Sequence, residues 1–226
     1  MLIDAYQWQS VPILSKILES RDAVSLIVAK PRGYYFMPGQ HAIVRISTSD
    51  GTHYVRQYSY SSTSSDTAIR LTITRQPGGI VSSWCIDTAH IGDTIELSQP
   101  FTGPLAIDAS AVTRLGMVAG GSGIAPMMSH ILTLRETSPA QTRVVLYSTR
   151  QNMRCFTSTL VADGDETIDV RLTDEQTRFQ PHEIRRALLS CERILICGSR
   201  PFVTDMQALC HQYLPDAALH CESFSL

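Results

Sequence analysis

The chain has 226 residues, 43% of them hydrophobic and 18% charged, with a formal net charge of −2. That length accommodates two modest domains with their own cores, so no disulfide or metal staple is needed. The near-neutral balance offers no basic footprint for nucleic acid and no attraction to an anionic membrane surface.

The amino terminus, MLIDAYQWQS, lacks a basic region followed by an apolar run, and a membrane-length apolar stretch occurs nowhere. Both observations predict a cytoplasmic chain without membrane insertion. Next come short segments of strand character: AVSLIVAK, QHAIVRIS, YVRQYSYSS, AIRLTITRQ and DTIELSQ, separated by PRG, MPGQ, SDGT and QPGG. Strands at such even spacing predict an antiparallel barrel or sandwich. One helix, VSSWCIDTA, interrupts them just after a glycine pair.

After SQPFTGPLAI the pattern changes to alternating strands and helices. RLGMVAG precedes the helix APMMSHILTLRET, RVVLYST precedes a helix near RCFTSTLVAD, and TIDVRLTD precedes PHEIRRALLS. RILICGS then precedes PFVTDMQALCHQYL, and ALHCESF closes the series. This alternation predicts a parallel sheet covered by helices. The boundary falls near residues 105 to 111, giving lobes of residues 1–108 and 109–226.

The six cysteines form no CxxC pair and no CxxxxCxxC segment, so no zinc knuckle, redox dithiol or internal iron–sulfur cluster is expected. Ligands of an open parallel sheet bind beyond the carboxyl ends of its strands, and here those ends carry VAGGSGIAP, CGSRPF and CESF. Gly120 to Pro126 joins a buried strand to a helix. Its glycines let backbone approach a phosphate, and the helix amino end offers free N–H donors. The spacing is not that of the usual dinucleotide fingerprint, and a ligand-free tight turn reads equally well. Gly78 and Gly79, followed by Ser82, repeat the device in the first lobe, with an ordinary helix cap as the alternative. In RQYSYSS, Arg56 shares a strand face with Tyr58 and Tyr60 if the strand is regular, and Gln57 and Ser59 take the other. An arginine there suits phosphate, and a tyrosine face suits a planar ring. A plain exposed strand face fits the same residues.

Taken in order, RQYS, GGIVS, AGGSGIAPM, CGSRPFVTDM and the terminal ESF resemble the ferredoxin-NADP reductase superfamily over nearly the whole chain. The resemblance implies an antiparallel Greek-key flavin-binding β-barrel followed by a Rossmann-like α/β domain for NAD(P)H. It implies FAD as cofactor, although FMN is held by a similar motif in some relatives. On this reading Arg56 neutralises the flavin pyrophosphate, Tyr58 packs on the isoalloxazine and ribityl region, and Ser59 approaches the flavin N5. Ile73 and Thr74 line the cofactor through their backbone, and Gly79, Val81 and Ser82 complete the pyrophosphate cradle. Gly121, Ser122, Gly123 and Pro126 correspond to the pyridine-nucleotide loop, Cys197 and Gly198 to a CG pair beside the nicotinamide, and Met206 to a methionine packed behind it. Glu222 and Phe224 match a terminal E-x-F, where the aromatic ring can cover the flavin and act as a gate.

Two positions depart from the family pattern: Ala125 replaces a threonine and Ser199 a proline. Arg150 and Arg154 follow the second α/β strand without an acidic residue, which tilts toward NADPH. Arg150 also fits a position held by arginine in NADH-using relatives. The implied activity is transfer of hydride from NAD(P)H to FAD and of single electrons to a separate acceptor protein. A reductase releasing reduced flavin, and a non-catalytic nucleotide-responsive module, are the competing readings.

Overall fold

The computed structural model describes residues 6–48, 50–175 and 178–224. The first lobe is one antiparallel sheet. Its strands are β1 (Gln9–Ser20), β2 (Ala23–Ala29), β3 (His41–Ser47), β4 (His53–Ser59), β5 (Ala68–Thr74) and β6 (Thr94–Leu97), in the order β4-β3-β6-β1-β2-β5. The edge strands β4 and β5 meet at the Tyr60–Leu71 bridge, supported by a 2.9 Å bond from Ser61 N to Arg70 O. The expected barrel is therefore a sheet whose edges touch without a continuous closing ladder.

No element was expected over Gln9–Ser20, which forms the long β1. Its first four residues pair with β6 and the remainder with β2. Pro12 lies at that change of partner, where its missing N–H removes no ladder bond from an uninterrupted pairing. Register shifts after Ile13 and Leu18 break the alternation of side chains, so Leu14 and Leu18 are exposed. Val11, Ile13, Leu26, Val44, Ile69 and Leu71 fill the core of this lobe. The expected helix VSSWCIDTA appears as α1 (Ile80–Ser83) continuing into a wider turn over Trp84–Thr88.

The second lobe is a parallel sheet in the order β11-β10-β7-β8-β9. Its strands are β7 (Arg114–Gly120), β8 (Thr142–Thr149), β9 (Glu166–Leu172), β10 (Arg193–Ser199) and β11 (Ala218–Phe224). The helices α2 (Ile124–Thr137), α3 (Pro181–Leu188) and α4 (Arg200–Tyr213) cover it. One apolar cluster joins α2 to the sheet, and a second lies under α3 and α4. Pro181 at the start of α3 and the reciprocal Gln180–Glu183 capping box fix where that helix begins.

The helix expected near Arg154–Asp163 is absent. Phe156 adopts left-handed backbone, φ 61°, and is fully buried, while the N–H groups of Thr159 and Leu160 both turn back to its carbonyl. Burying Cys155, Phe156 and Leu160 in the core of the second lobe outweighs helix propensity here.

Several contacts hold the lobes together. Ser129 Oγ on α2 donates to Ser62 O at 2.7 Å, and buried His130 bonds to Leu105 O at 2.9 Å through Nε2. Leu105 itself is pressed against Gly39, where φ is 80° and a Cβ would lie 2.1 Å from the Leu105 carbonyl oxygen. Among the described residues, no helix is long and apolar enough to cross a membrane.

Candidate functional site

A cleft of about 680 Å³ opens where β4, β5 and α1 of the first lobe face the carboxyl ends of β7 and β11. Its size lies within the range of small-molecule and cofactor sites. Arg56, Tyr58, Ser59, Thr74, Gly79, Val81 and Ser82 line it from the first lobe, and Ser122, Glu222 and Phe224 from the second. Residues expected to act together from distant parts of the sequence are thus brought to one place by the topology.

Arg56 is exposed, donates from Nη1 to Val55 O at 2.7 Å, and has no acidic partner among the described residues. A guanidinium in that state is available to an anion. Tyr58 is half-buried against the core of its lobe. Tyr60 does not share its surroundings, as regular alternation would require: it is fully buried, stacked on Phe36 at 3.9 Å and bonded to the Tyr34 hydroxyl at 2.6 Å. Ser82 differs from expectation in its hydrogen bonding. Its hydroxyl donates to Gly79 O at 3.2 Å and accepts from Gln76 N at 3.1 Å, so it closes the glycine turn instead of presenting a free donor. The Ile73 side chain belongs to the core, which leaves only its backbone to face a ligand.

On the opposite wall, β10 and β11 pair so that Cys197 lies level with Glu222 and Ser199 with Phe224. Cys197 is fully buried, and burial pushes its thiol well above the ordinary range, so it is a neutral packing group. Glu222 Oε2 is buried and has no hydrogen-bond partner among the described residues. Burial raises its pKa, so its carboxyl holds a proton more readily than an exposed one. Gly103 makes room for it, since a Cβ there would lie 3.1 Å from Oε2.

Gly123 contributes by closeness. A Cβ on it would lie 2.1 Å from the Cys197 carbonyl oxygen, so the turn after β7 packs directly on the end of β10. Gly121, Gly123, Pro126, Cys197 and Gly198 gather at these strand ends behind Ser122 and Ala125, which form the cleft surface. Met206 lies on α4 and packs into the cluster beneath it, away from the cleft. Arg150 is exposed in the turn after β8 and is not part of the cleft wall.

Several cleft residues escaped the sequence reading. Tyr6, Ile43 and Thr72 carry no motif signal, and Val55, Gln76 and Ser223 lie beside or within the RQYS, QPGG and ESF stretches without having been assigned a role. His41 does have one in retrospect, because it directly follows the PGQ turn. Its Nδ1 is buried without a partner, burial lowers its pKa, and it pairs in register with Ser59. Its ring stacks with Phe101 at 5.9 Å. Two unpartnered buried polar atoms, a guanidinium without an acidic partner among the described residues and a row of hydroxyls give the cleft the donor and acceptor set of a large polar cofactor with an anionic segment.

Comparison with known proteins agrees with this geometry. The oxidoreductase FAD-binding domain family matches residues 11–105. A flavohemoprotein from Rhizobium meliloti is 31% identical over 142 residues, covering 58% of this chain and 35% of its own length. The toluate 1,2-dioxygenase electron transfer component of Pseudomonas putida is 33% identical over 122 residues, covering 54% of this chain and 34% of its own. The structure of a ferredoxin NADP+ reductase from Neisseria gonorrhoeae with bound FAD and NADP superposes with a TM-score of 0.79 at 18% identity, covering 96% of this chain and 98% of that one. At that identity the superposition establishes the fold alone. The chain spans only about a third of the length of the two curated relatives named here.

Proposed function

We propose that this chain, whose residues 11–105 match the oxidoreductase FAD-binding domain family, is an FAD-binding oxidoreductase of the ferredoxin-NADP reductase type that oxidises NAD(P)H and passes electrons to a separate acceptor protein. The observation that carries the reading is the convergence of Arg56, Tyr58 and Ser59 with the Gly79–Ser82 turn and with Glu222 and Phe224 around one cleft between two lobes. FAD bound there would accept a hydride from the nicotinamide and release electrons singly.

The chain's own residues bind, orient and shield. Arg56 neutralises the pyrophosphate, and the compact turn closed by Ser82 brings the first backbone N–H groups of α1 to the same anion. Tyr58 offers a ring face to the isoalloxazine, and Ser59 presents a hydroxyl to its polar edge. Phe224, which lines the cleft, would cover the flavin ring and would have to move for the nicotinamide to stack there, which would make it a gate. Glu222, whose burial makes its carboxyl take up a proton more readily than an exposed one, would stand beside the reacting rings and keep bulk water from that corner. Gly123 lets the turn after β7 pack on the Cys197 carbonyl at the end of β10, so that the nicotinamide would meet a rigid floor.

The acceptor is inferred from the relatives named above, one of which is an electron transfer component of a dioxygenase and another a flavohemoprotein. A haem or oxygenase protein, a ferredoxin or a flavodoxin fits the same role. Purification followed by exhaustive desalting tests the cofactor assignment. One FAD per chain supports a resident cofactor, whereas complete loss of flavin with retained flavin-reducing activity supports the reading in which reduced flavin is a released product.

A further inference from the structure

A second cleft, of about 490 Å³, lies between the β1–β2 hairpin and the turn after β8, with Glu19, Arg21, Asn152, Arg154 and Thr157 in its walls. Glu19 is an unusual member of it, because its side chain is only 6% exposed. On its own lobe, Oε1 accepts from Ser25 Oγ at 2.6 Å and from Arg70 Nη2. Across the interface, Oε2 accepts the backbone N–H of Phe156 at 2.8 Å. Arg70 also places its guanidinium over the Phe156 ring, 4.6 Å from the centroid.

Phe156 is the residue with left-handed backbone, a conformation costly for a bulky side chain and one that persists only where its surroundings over-determine it. Part of that determination comes from the other lobe. A second set of bonds works alongside it: Asn152 Nδ2 donates to Asp22 Oδ2 at 2.7 Å, and Asn152 O accepts from Asp22 N at 2.7 Å and from Ser20 Oγ at 2.9 Å. The turn from Arg150 to Phe156 is thus fastened at two points to a hairpin of the first lobe. Arg154 lies between those points.

We propose that Glu19 is a positioning residue for nucleotide binding: a carboxylate of the first lobe fixes the Arg150–Phe156 turn of the second and so presents Arg154 to an anionic group of the pyridine nucleotide. The inference rests on the NAD(P)H reading above. Sequence inspection does not suggest it, because Glu19 belongs to no motif. Its function follows from burial and from the partners it joins.

The test compares Glu19→Ala, Glu19→Gln and Asn152→Asp with the unaltered FAD-loaded chain. The readouts are the dissociation constant of oxidised NAD+ or NADP+ by calorimetry, KM and kcat for flavin reduction, FAD content and the thermal midpoint. Loss of a hydrogen bond to a charged group predicts that Glu19→Ala and Asn152→Asp each raise the dissociation constant and KM about tenfold. FAD content should not change, kcat should stay within about twofold, and Glu19→Gln should fall between Ala and the unaltered chain because its amide oxygen still accepts from Phe156. Since both changes release one turn, combining Glu19→Ala with Asn152→Asp should cost far less than the product of the two. A lowered thermal midpoint with unchanged dissociation constant and KM would overturn the proposal and leave Glu19 a structural residue. Should Glu19→Ala fail to fold, Asn152→Asp, on a half-exposed side chain, decides the same question. Failure of the unaltered chain to bind or be reduced by either nucleotide would instead defeat the functional reading, and this inference with it.

Discussion

Replacing His130 by glutamine should flatten the pH dependence of stability between pH 6.5 and 4. His130 lies on α2 with 1% of its surface exposed, and its Nε2 bonds to Leu105 O at 2.9 Å across the junction of the two lobes. Burial lowers its pKa from 6.5 to about 4; the bond to the Leu105 carbonyl works against that, and His220 adds a smaller lowering. Within this window the unfolded chain binds the proton and the folded chain does not, so stability is full above pH 6.5 and falls as the pH approaches 4. Each pH unit at full coupling is worth about 1.4 kcal/mol, and the whole window therefore about 3 kcal/mol from this residue. Glutamine can still donate to Leu105 O but does not titrate. Urea unfolding at several pH values, run in parallel on both proteins, measures the difference. His41 acts in the same sense as His130 and Glu222 in the opposite one, yet both remain in the variant and cancel in the comparison. An equal slope in the two proteins would show that His130 titrates normally, and would refute the claim that a neutral imidazole ties α2 to Leu105 of the first lobe.

Arg56→Ala should lose most bound FAD while leaving the circular dichroism spectrum and the melting midpoint of the flavin-free protein nearly unchanged, because Arg56 is exposed and is the group proposed to neutralise the pyrophosphate; stoichiometric flavin after desalting would contradict the assignment. Gly123→Ala should weaken nucleotide binding at least tenfold with FAD retained, since its Cβ would lie 2.1 Å from the Cys197 carbonyl oxygen and force the turn after β7 off the end of β10; calorimetry with NADP+ or NAD+ checks this. Glu166→Ala should destabilise the chain by about 3–5 kcal/mol in urea titrations, because it strands the buried Arg143 and removes the partner of Arg135. A loss under 1 kcal/mol would show that solvent reaches those guanidinium groups.

The parts of the fold that could be read from sequence were those where one rule dominated. β7, β8 and β10 are apolar runs between turn signals, and the structure contains them as expected. β1 was not legible because its register shifts and Pro12 obscure the period of two, and because Leu14 and Leu18 point outward. The helix expected after β8 failed for a different reason. Cys155, Phe156 and Leu160 read as one apolar helical face, but a carboxylate and a guanidinium from the other lobe hold Phe156 in a turn. No local pattern encodes that contact. The cleft was legible in part: Arg56, Tyr58, Ser59, Gly79 and Glu222 face it, whereas Cys197, Met206 and Arg150, drawn from the same motif reading, do not line it. His41 and Glu19 were not, since a buried partnerless nitrogen and an interlobe carboxylate are defined only by three-dimensional neighbours.

Anaerobic mixing of the FAD-loaded protein with NADH or NADPH tests the central claim most directly, by following the visible absorption of oxidised flavin. The account predicts rapid and complete bleaching with at least one of the two nucleotides, and recovery of colour when an electron acceptor is added. Persistent yellow colour with both, at nucleotide concentrations that saturate binding, would contradict it.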